Sequence, residues 1–342
     1  MRRVPIFALA SLLFAGACAT AESEPGATID PMAPTSSRAD ALVGPLAEIT
    51  IVVEDMAEAD RFFGNALGFE REDLTPDALA PLGLASDRVD AVVVFSRPDS
   101  PETASVRVVD AKGERPSSRP GVESRFAGPL GAGFAGADIP GALEAVQTAG
   151  FESTAGVQTM DFPRADGSTY QIREVHFLAP ADMLVLGVNR DESAQVGPLD
   201  PASGLSGIAY SSYLTADLPA MERFLGDVLG LEKRRDITFN SSGPGGGMVG
   251  LVKGEEVAFQ QWFSPGSRSG YLVTMTRLDE GQEPAPVAPD LDSEGLSLWT
   301  FETDDLAAVR ARAKRAGALF REYPGGLLLT TPDRFLVEVR SK

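Results

Sequence analysis

His176 is the only imidazole and Cys18 the only thiol in 342 residues. One histidine excludes a site made of two imidazoles and a carboxylate. One cysteine excludes paired thiolate ligands and an internal disulfide. Chemistry in this chain must draw on carboxylates, hydroxyls, amides and a single imidazole. His176 stands in Arg173-Glu-Val-His-Phe-Leu178, on the strand face opposite Val175 and Phe177. It reads either as a lone acid–base group in a cavity or as a hydrogen-bonded strand histidine. Tyr210 and Ser212 share a face of one strand, as Gln260 and Trp262 do further on. Polar groups among aromatic rings suit a small organic ligand, so these four are the candidate ligand contacts. The alternative is a core tryptophan and a tyrosine with its hydroxyl at the rim.

Two glycine-rich segments resemble phosphate loops without the required context. Gly131-Ala-Gly-Phe-Ala-Gly136 has the spacing of a dinucleotide fingerprint, but Ala127-Gly-Pro129 precedes it instead of an apolar strand. Ser242-Gly-Pro-Gly-Gly-Gly-Met248 lacks the Lys-Ser/Thr of a phosphate loop and reads as a hairpin connection or cavity rim. No cofactor is expected.

The elements that position these residues come in a repeat. Asp55, Arg61, Phe62, Gly64, Leu67, Gly68 and Glu70 recur at an offset of 162 as Asp217, Arg223, Phe224, Gly226, Leu229, Gly230 and Glu232. At an offset of 167, Phe134, Asp138, Ala149 and Gly150 match Phe301, Asp305, Ala316 and Gly317. The order is A-B-A′-B′, and a period this long indicates duplicated domains rather than a solenoid. In the first unit Ala47–Val53 is a β-branched strand. Asp55 is its helix N-cap, with Glu58 positioned for a capping box. Ala59, Phe62, Phe63, Ala66 and Leu67 form one apolar helical stripe, and Gly68 suits a left-handed C-cap. The strands Val89–Ser96 and Ser105–Asp110 follow. The other three units repeat one strand, one helix and roughly three strands, and the glycines 131–136 then fall inside a strand.

Four such βαβββ units, two of them closing their helix on Arg-Phe-(Phe/Leu)-Gly-x-x-Leu-Gly-(Phe/Leu)-Glu, resemble the vicinal oxygen chelate superfamily of glyoxalase I, extradiol dioxygenases and bleomycin-resistance proteins. The fold class implied is α+β, four βαβββ modules paired into two tandem domains, each a curved sheet around a small-molecule cavity. The boundaries follow as a signal at 1–18, a flexible tether at 19–43, domain 1 at 44–190, a linker at 191–204 and domain 2 at 205–342. Enzymes of that superfamily hold a divalent metal with residues of the first and last strands of paired modules. Carried onto this chain, the first-strand position is Glu48, Gly131, Tyr210 and either Ser297 or Leu298. The last-strand position is Leu186 in the second module and Glu338 in the fourth. With modules paired along the chain, each domain keeps one carboxylate at most, so no metal is expected. Glu48, His176 and Glu338 remain as candidate acid–base groups. Each has an ordinary alternative as a solvated or hydrogen-bonded strand residue.

The N-terminus reads as an export signal, with Arg2 and Arg3 before the apolar run Val4–Phe14. Ala15-Gly-Ala-Cys18 resembles a lipobox with Ala in the usual Leu position, which would make Cys18 a lipidation site. Ordinary secretion, with cleavage around Ala17 to Ala21, is the alternative. Removing Arg2 and Arg3 takes the net charge from −19 to −21. Such a surface disfavours nucleic acid and anionic headgroups. The expectation is a periplasmic protein lipid-anchored to a membrane, the outer one given Ala19. It would contact the membrane only through the anchor and bind a small molecule without metal. The alternatives are an atypical glyoxalase-like lyase, isomerase or dioxygenase, and a non-catalytic envelope interaction module.

Overall fold

The computed structural model describes residues 34, 36–122, 124–163, 169–190, 196–241, 251 and 254–342. Cys18, the export signal and most of the tether lie outside the described residues, as does Ser242–Met248. Four modules are present, and each begins with a strand that runs into a capped helix. Module 1 holds β1 (Leu46–Val53), α1 (Met56–Ala59, continued by a π-helical segment Asp60–Ala66), β2 (Glu70–Leu74), β3 (Val89–Ser96) and β4 (Ser105–Ala111). Module 2 holds β5 (Gly128–Gly136), α2 (Ile139–Thr148), β6 (Gln158–Pro163), β7 (Thr169–Ala179) and β8 (Met183–Arg190). Module 3 holds β9 (Leu205–Leu214), α3 (Leu218–Arg223, with a π-helical segment Phe224–Val228), β10 (Glu232–Asn240), β11 (Glu256–Phe263) and β12 (Tyr271–Arg277). Module 4 holds β13 (Gly295–Thr303), α4 (Leu306–Ala316), β14 (Leu319–Tyr323), β15 (Gly326–Thr330) and β16 (Leu336–Ser341).

The helices start where the sequence signals them. Asp55, Asp138, Asp217 and Asp305 each accept a backbone N–H of the first turn through the side chain, at 2.9, 3.0, 2.9 and 2.9 Å. The repeated Gly68 and Gly230 take φ of +68° and +72°, the left-handed geometry that ends both odd-module helices. Before each glycine the helix widens: Leu67 N–H bonds Phe62 C=O and Leu229 N–H bonds Phe224 C=O, five residues back.

The modules assemble into two eight-stranded sheets, in the orders β14-β15-β16-β13-β1-β4-β3-β2 and β10-β11-β12-β9-β5-β8-β7-β6. The expected α+β class and the pairing of βαβββ modules are therefore observed. Which modules pair differs from the expectation. Module 1 joins module 4 through the antiparallel β1–β13 seam, and module 2 joins module 3 through β5–β9. Each sheet thus draws on both of the ranges 44–190 and 205–342. The repeat fixes which modules are equivalent and is satisfied by either pairing. The connections run in keeping with the observed pairing. The chain from β4 to β5 and the chain from β12 to β13 each cross from one sheet to the other and bond to each other on the way. Ser118 N–H meets Glu294 C=O at 3.1 Å, and Ala127 N–H meets Glu283 C=O at 2.7 Å.

One continuous core lies between the helix-facing sides of both sheets. It takes Phe62 and Phe63 from α1, Val146 from α2, Leu225 from α3 and Val309 from α4, against Ile49, Ile51, Phe134 and Trp299 from the strands. The opposite faces, turned away from the helices and corresponding to the concave faces that the resemblance implies, carry separate apolar clusters. Among the described residues no helix is long and apolar enough to cross a membrane.

Candidate functional site

The concave face of the first sheet has an apolar half and a charged half. Val52, Val92, Val109 and Leu298 pack under Leu79, Leu82 and Leu84, which the short helical turn Pro76–Leu82 and the residues after it supply. Beside them, four adjacent strands, β4, β1, β13 and β16, present Arg107, Glu48, Thr300 and Glu338. Register aligns Glu48 with Thr300 and Thr300 with Glu338. Glu48, Arg107 and Glu338 are each at most 6% exposed. Arg107 Nη2 contacts Glu48 Oε1 and lies 3.6 Å from Glu338 Oε2. Glu338 also accepts from Thr300 Oγ1 at 2.9 Å and from the Tyr323 hydroxyl. Ser105 Oγ donates to Glu48 Oε2 at 3.3 Å, and Arg340 Nη1 approaches Glu48 Oε1 at 3.9 Å. Burial holds the Glu48 carboxyl above its usual range, outweighing the pull of Arg107 and Arg340. Burial and then Glu338 raise Tyr323, which keeps its phenol a donor.

Module pairing thus overturns the separation of Glu48 and Glu338 into different domains. They share one site, and the sequence reading missed the residue between them. Arg107 stands in the otherwise apolar run Val106-Arg-Val-Val109, and a lone charge at an inward strand position was the available signal. A divalent metal bound by both carboxylates would need the space that the guanidinium fills, so the site with Arg107 in place does not fit one. Among the described residues, no three of His, Cys, Asp and Glu come within metal-holding range. The outer end of the cluster borders a groove of about 530 Å³ whose rim balances Arg38, Arg340 and Lys342 against Glu102, Glu302 and Asp304.

The concave face of the second sheet differs at every corresponding position. Register runs from Tyr271 to Tyr210, Gly133, Leu186 and His176 across five neighbouring strands. Tyr210 takes the place of Glu48, and Leu186 that of Glu338. Tyr210, Tyr271 and Phe263 stack at ring separations of 5.1 and 4.5 Å. A Cβ on Gly133 would lie 2.1 Å from the Tyr210 ring, so the glycine is what lets that ring lie against the strand. His176 is 1% exposed and Gln261 2%. Both ring nitrogens of His176 and the Oε1 of Gln261 have no hydrogen-bond partner among the described residues. Glu174 Oε2 lies 3.8 Å from the imidazole Nε2. Burial pushes Tyr271 up to about 12 and Tyr210 well above its ordinary value.

Of the four expected ligand contacts, Tyr210 and Ser212 lie on this concave side. Gln260 and Trp262 do not. In β11 it is Val257, Phe259 and Phe263 that pack into the concave cluster, while Trp262 joins the central core. Gln260 donates to Glu222, and Trp262 Nε1 donates to Thr274 Oγ1 at 3.2 Å and to Gln260 Oε1 at 3.3 Å. Alternation had grouped the residues by face correctly without revealing which face is concave. Gln261, on the other side of the same strand, is the one that points inward.

Glyoxalase I from Zea mays superposes with a TM-score of 0.51 at 13% identity, covering 87% of this chain and 92% of the maize chain. The fold is shared with glyoxalase I. A point variant of the maize enzyme gives 0.54 at 13% identity, over 89% and 95% of the two chains. A candidate dioxygenase from Bacillus subtilis gives 0.53 at 14% identity, over 87% and 85%. No protein-family model and no curated protein matches this chain. The fold of these structures therefore extends over most of this chain.

Proposed function

We propose that the protein is a metal-independent small-molecule binder whose ligand sits on the concave face of the second sheet. The observation that carries this reading is the set of buried, unpartnered polar atoms there, His176 Nδ1 and Nε2 and Gln261 Oε1. Leaving such atoms unsatisfied costs about 1–3 kcal/mol each, and a bound molecule recovers that cost. The stacked rings of Phe263, Tyr271 and Tyr210 supply the apolar contact that small-molecule sites combine with a few polar groups. The ligand chemistry that fits is a planar molecule with an N–H or O–H for Gln261 Oε1 and a hydrogen-bonding group for the imidazole. A screen of aromatic metabolites by thermal shift tests this, because a ligand that binds the native state raises stability. His176→Phe and Gln261→Leu should each abolish the shift of a hit. A screen without a hit, or a hit unaffected by both changes, refutes the assignment.

A second reading has one observation in its favour. Glu174 Oε2 lies 3.8 Å from His176 Nε2, a gap that a polar group of a bound molecule would bridge to complete a proton relay, which would suit a lyase or isomerase working without metal. Turnover of a hit ligand, lost in Glu174→Gln, would select this reading over plain binding.

The proposed location is the periplasmic side of the outer membrane, through lipidation of Cys18. Three acyl chains anchor far more firmly than the single chain that gives only marginal binding. Cys18→Ser should release a processed protein to the soluble fraction or leave an uncleaved precursor. Processed Cys18→Ser protein that still partitions with membranes would refute the anchor.

A further inference from the structure

We propose that Arg107 is a resident cation, one that closes a latent divalent-metal site formed by Glu48 and Glu338. Four observations carry this. The two carboxylates come from β1 and β16, the first strand of one module and the last strand of its partner, and they converge only because modules 1 and 4 share a sheet. The Arg107 guanidinium contacts one and lies 3.6 Å from the other, so it bridges them as a cation would. Neutral oxygens complete the surround: the Thr300 hydroxyl, the Tyr323 phenol and the Ser105 hydroxyl all donate to these carboxylates. The fit of the guanidinium is also incomplete. Arg107 Nε and the buried Thr50 Oγ1 beside it have no hydrogen-bond partner among the described residues, and Glu48 Oε1 meets Arg107 as a charge without accepting a well-directed hydrogen bond.

Exchanging the guanidinium for a small side chain leaves two buried carboxylates short of positive charge and opens a space lined by oxygen. That donor set matches oxygen-preferring divalent ions, of which Mn²⁺ is the practical probe. Arg340, 3.9 Å from Glu48 and over a third exposed on its side chain, supplies part of the lost charge. It stands at the rim, however, and cannot fill the space between the carboxylates. The inference does not depend on what binds the second sheet.

The experiment measures Mn²⁺ binding by calorimetry and by electron paramagnetic resonance on the parent protein, Arg107→Ala and Arg107→His. The parent should bind no Mn²⁺ in the cluster. Arg107→Ala should bind one equivalent at least tenfold more tightly than the parent. Its melting temperature should fall without metal and recover with it. Arg107→His adds a neutral nitrogen donor and should bind as well or better, which covers the case in which the alanine variant does not fold. Glu338→Gln placed on either variant should abolish binding, while Arg107→Lys, retaining a point charge, should remain metal-free. One equivalent of Mn²⁺ in the parent that Glu338→Gln removes, or no binding by either folded variant, overturns the proposal.

Discussion

The pairing of module 1 with module 4 predicts that neither half of the chain folds as a monomer. The perturbation is to express a piece ending at Val196 and a piece beginning at Gly197. Cutting there leaves both seams without a partner within each piece. The β1–β13 seam aligns six residue pairs and β5–β9 seven. With one hydrogen bond per aligned pair at a net ~0.5–1.5 kcal/mol, the seams hold roughly 6–20 kcal/mol. That is comparable to the ~5–15 kcal/mol by which a whole domain is stable. Each separated piece should therefore be unfolded or self-associated, and an equimolar mixture should form a 1:1 complex. The assay is built in, since both tryptophans, Trp262 and Trp299, lie in the second piece. Trp299 is fully buried opposite Ile49 across the seam. Adding the tryptophan-free first piece should shift its emission to the blue, alongside a cooperative melt and a light-scattering mass of the complex. A folded homodimer of one piece is compatible, because two copies can exchange modules. A monomeric first piece that melts cooperatively near the temperature of the intact chain would refute the reasoning.

Three further outcomes are expected. Glu294 is raised to about 7, by burial first and then by Glu54, Asp182 and Glu58. The folded state holds that proton more tightly, so its contribution is complete below about 4.5 and is lost as pH rises through about 7. Glu294→Gln should gain on the parent by about 1 kcal/mol across that window after allowance for solvent screening, and urea melts at both ends with parallel curves would contradict this. Trp299→Phe deletes the 2.9 Å bond from Nε1 to Ser211 Oγ, which links the two sheets, and should cost about 2 kcal/mol in chemical denaturation; a loss no larger than that of a surface change would count against it. Gly133→Ala pushes a methyl into the Tyr210 ring and should destabilise by about 1–3 kcal/mol. Adding Tyr210→Leu should recover most of that loss, and strictly additive melts would show the contact to be unimportant.

Much of the fold was legible because local signals agreed. The β-branched run ending at Val53, the capping aspartates 55, 138, 217 and 305, and the glycines 68 and 230 each fix an element through its own residues. The edge strands β2 and β14 were not legible. Their sequences Glu-Arg-Glu-Asp-Leu and Leu-Phe-Arg-Glu-Tyr carry the charges that protect a sheet edge, and these mask the alternation of a buried strand. The site was legible residue by residue and not as an arrangement. Glu48, His176, Tyr210, Ser212 and Glu338 all line concave faces. Their grouping depended on a seam that links residues some 250 positions apart, as Glu48 and Thr300 are, and internal symmetry is silent about such a choice. Arg107 is a lone charge in an apolar run, while Glu174 and Gln261 stand among other polar residues of their strands, and none of the three reveals its face until the sheet is assembled.

The exchange of modules between the two halves also bears on how such a protein can change. A protein made of two identical subunits writes every substitution twice, once in each of its symmetry-related cavities. This chain writes each substitution once. Glu48 is acidic where its counterpart is Tyr210, and Glu338 is acidic where the matching position is Leu186. One face therefore holds an internal ion network while the other is aromatic, and neither arrangement is imposed on its twin. The binding proposed for the second sheet then implies one ligand for each polypeptide, not two, with the charged face serving as a fixed strut opposite it.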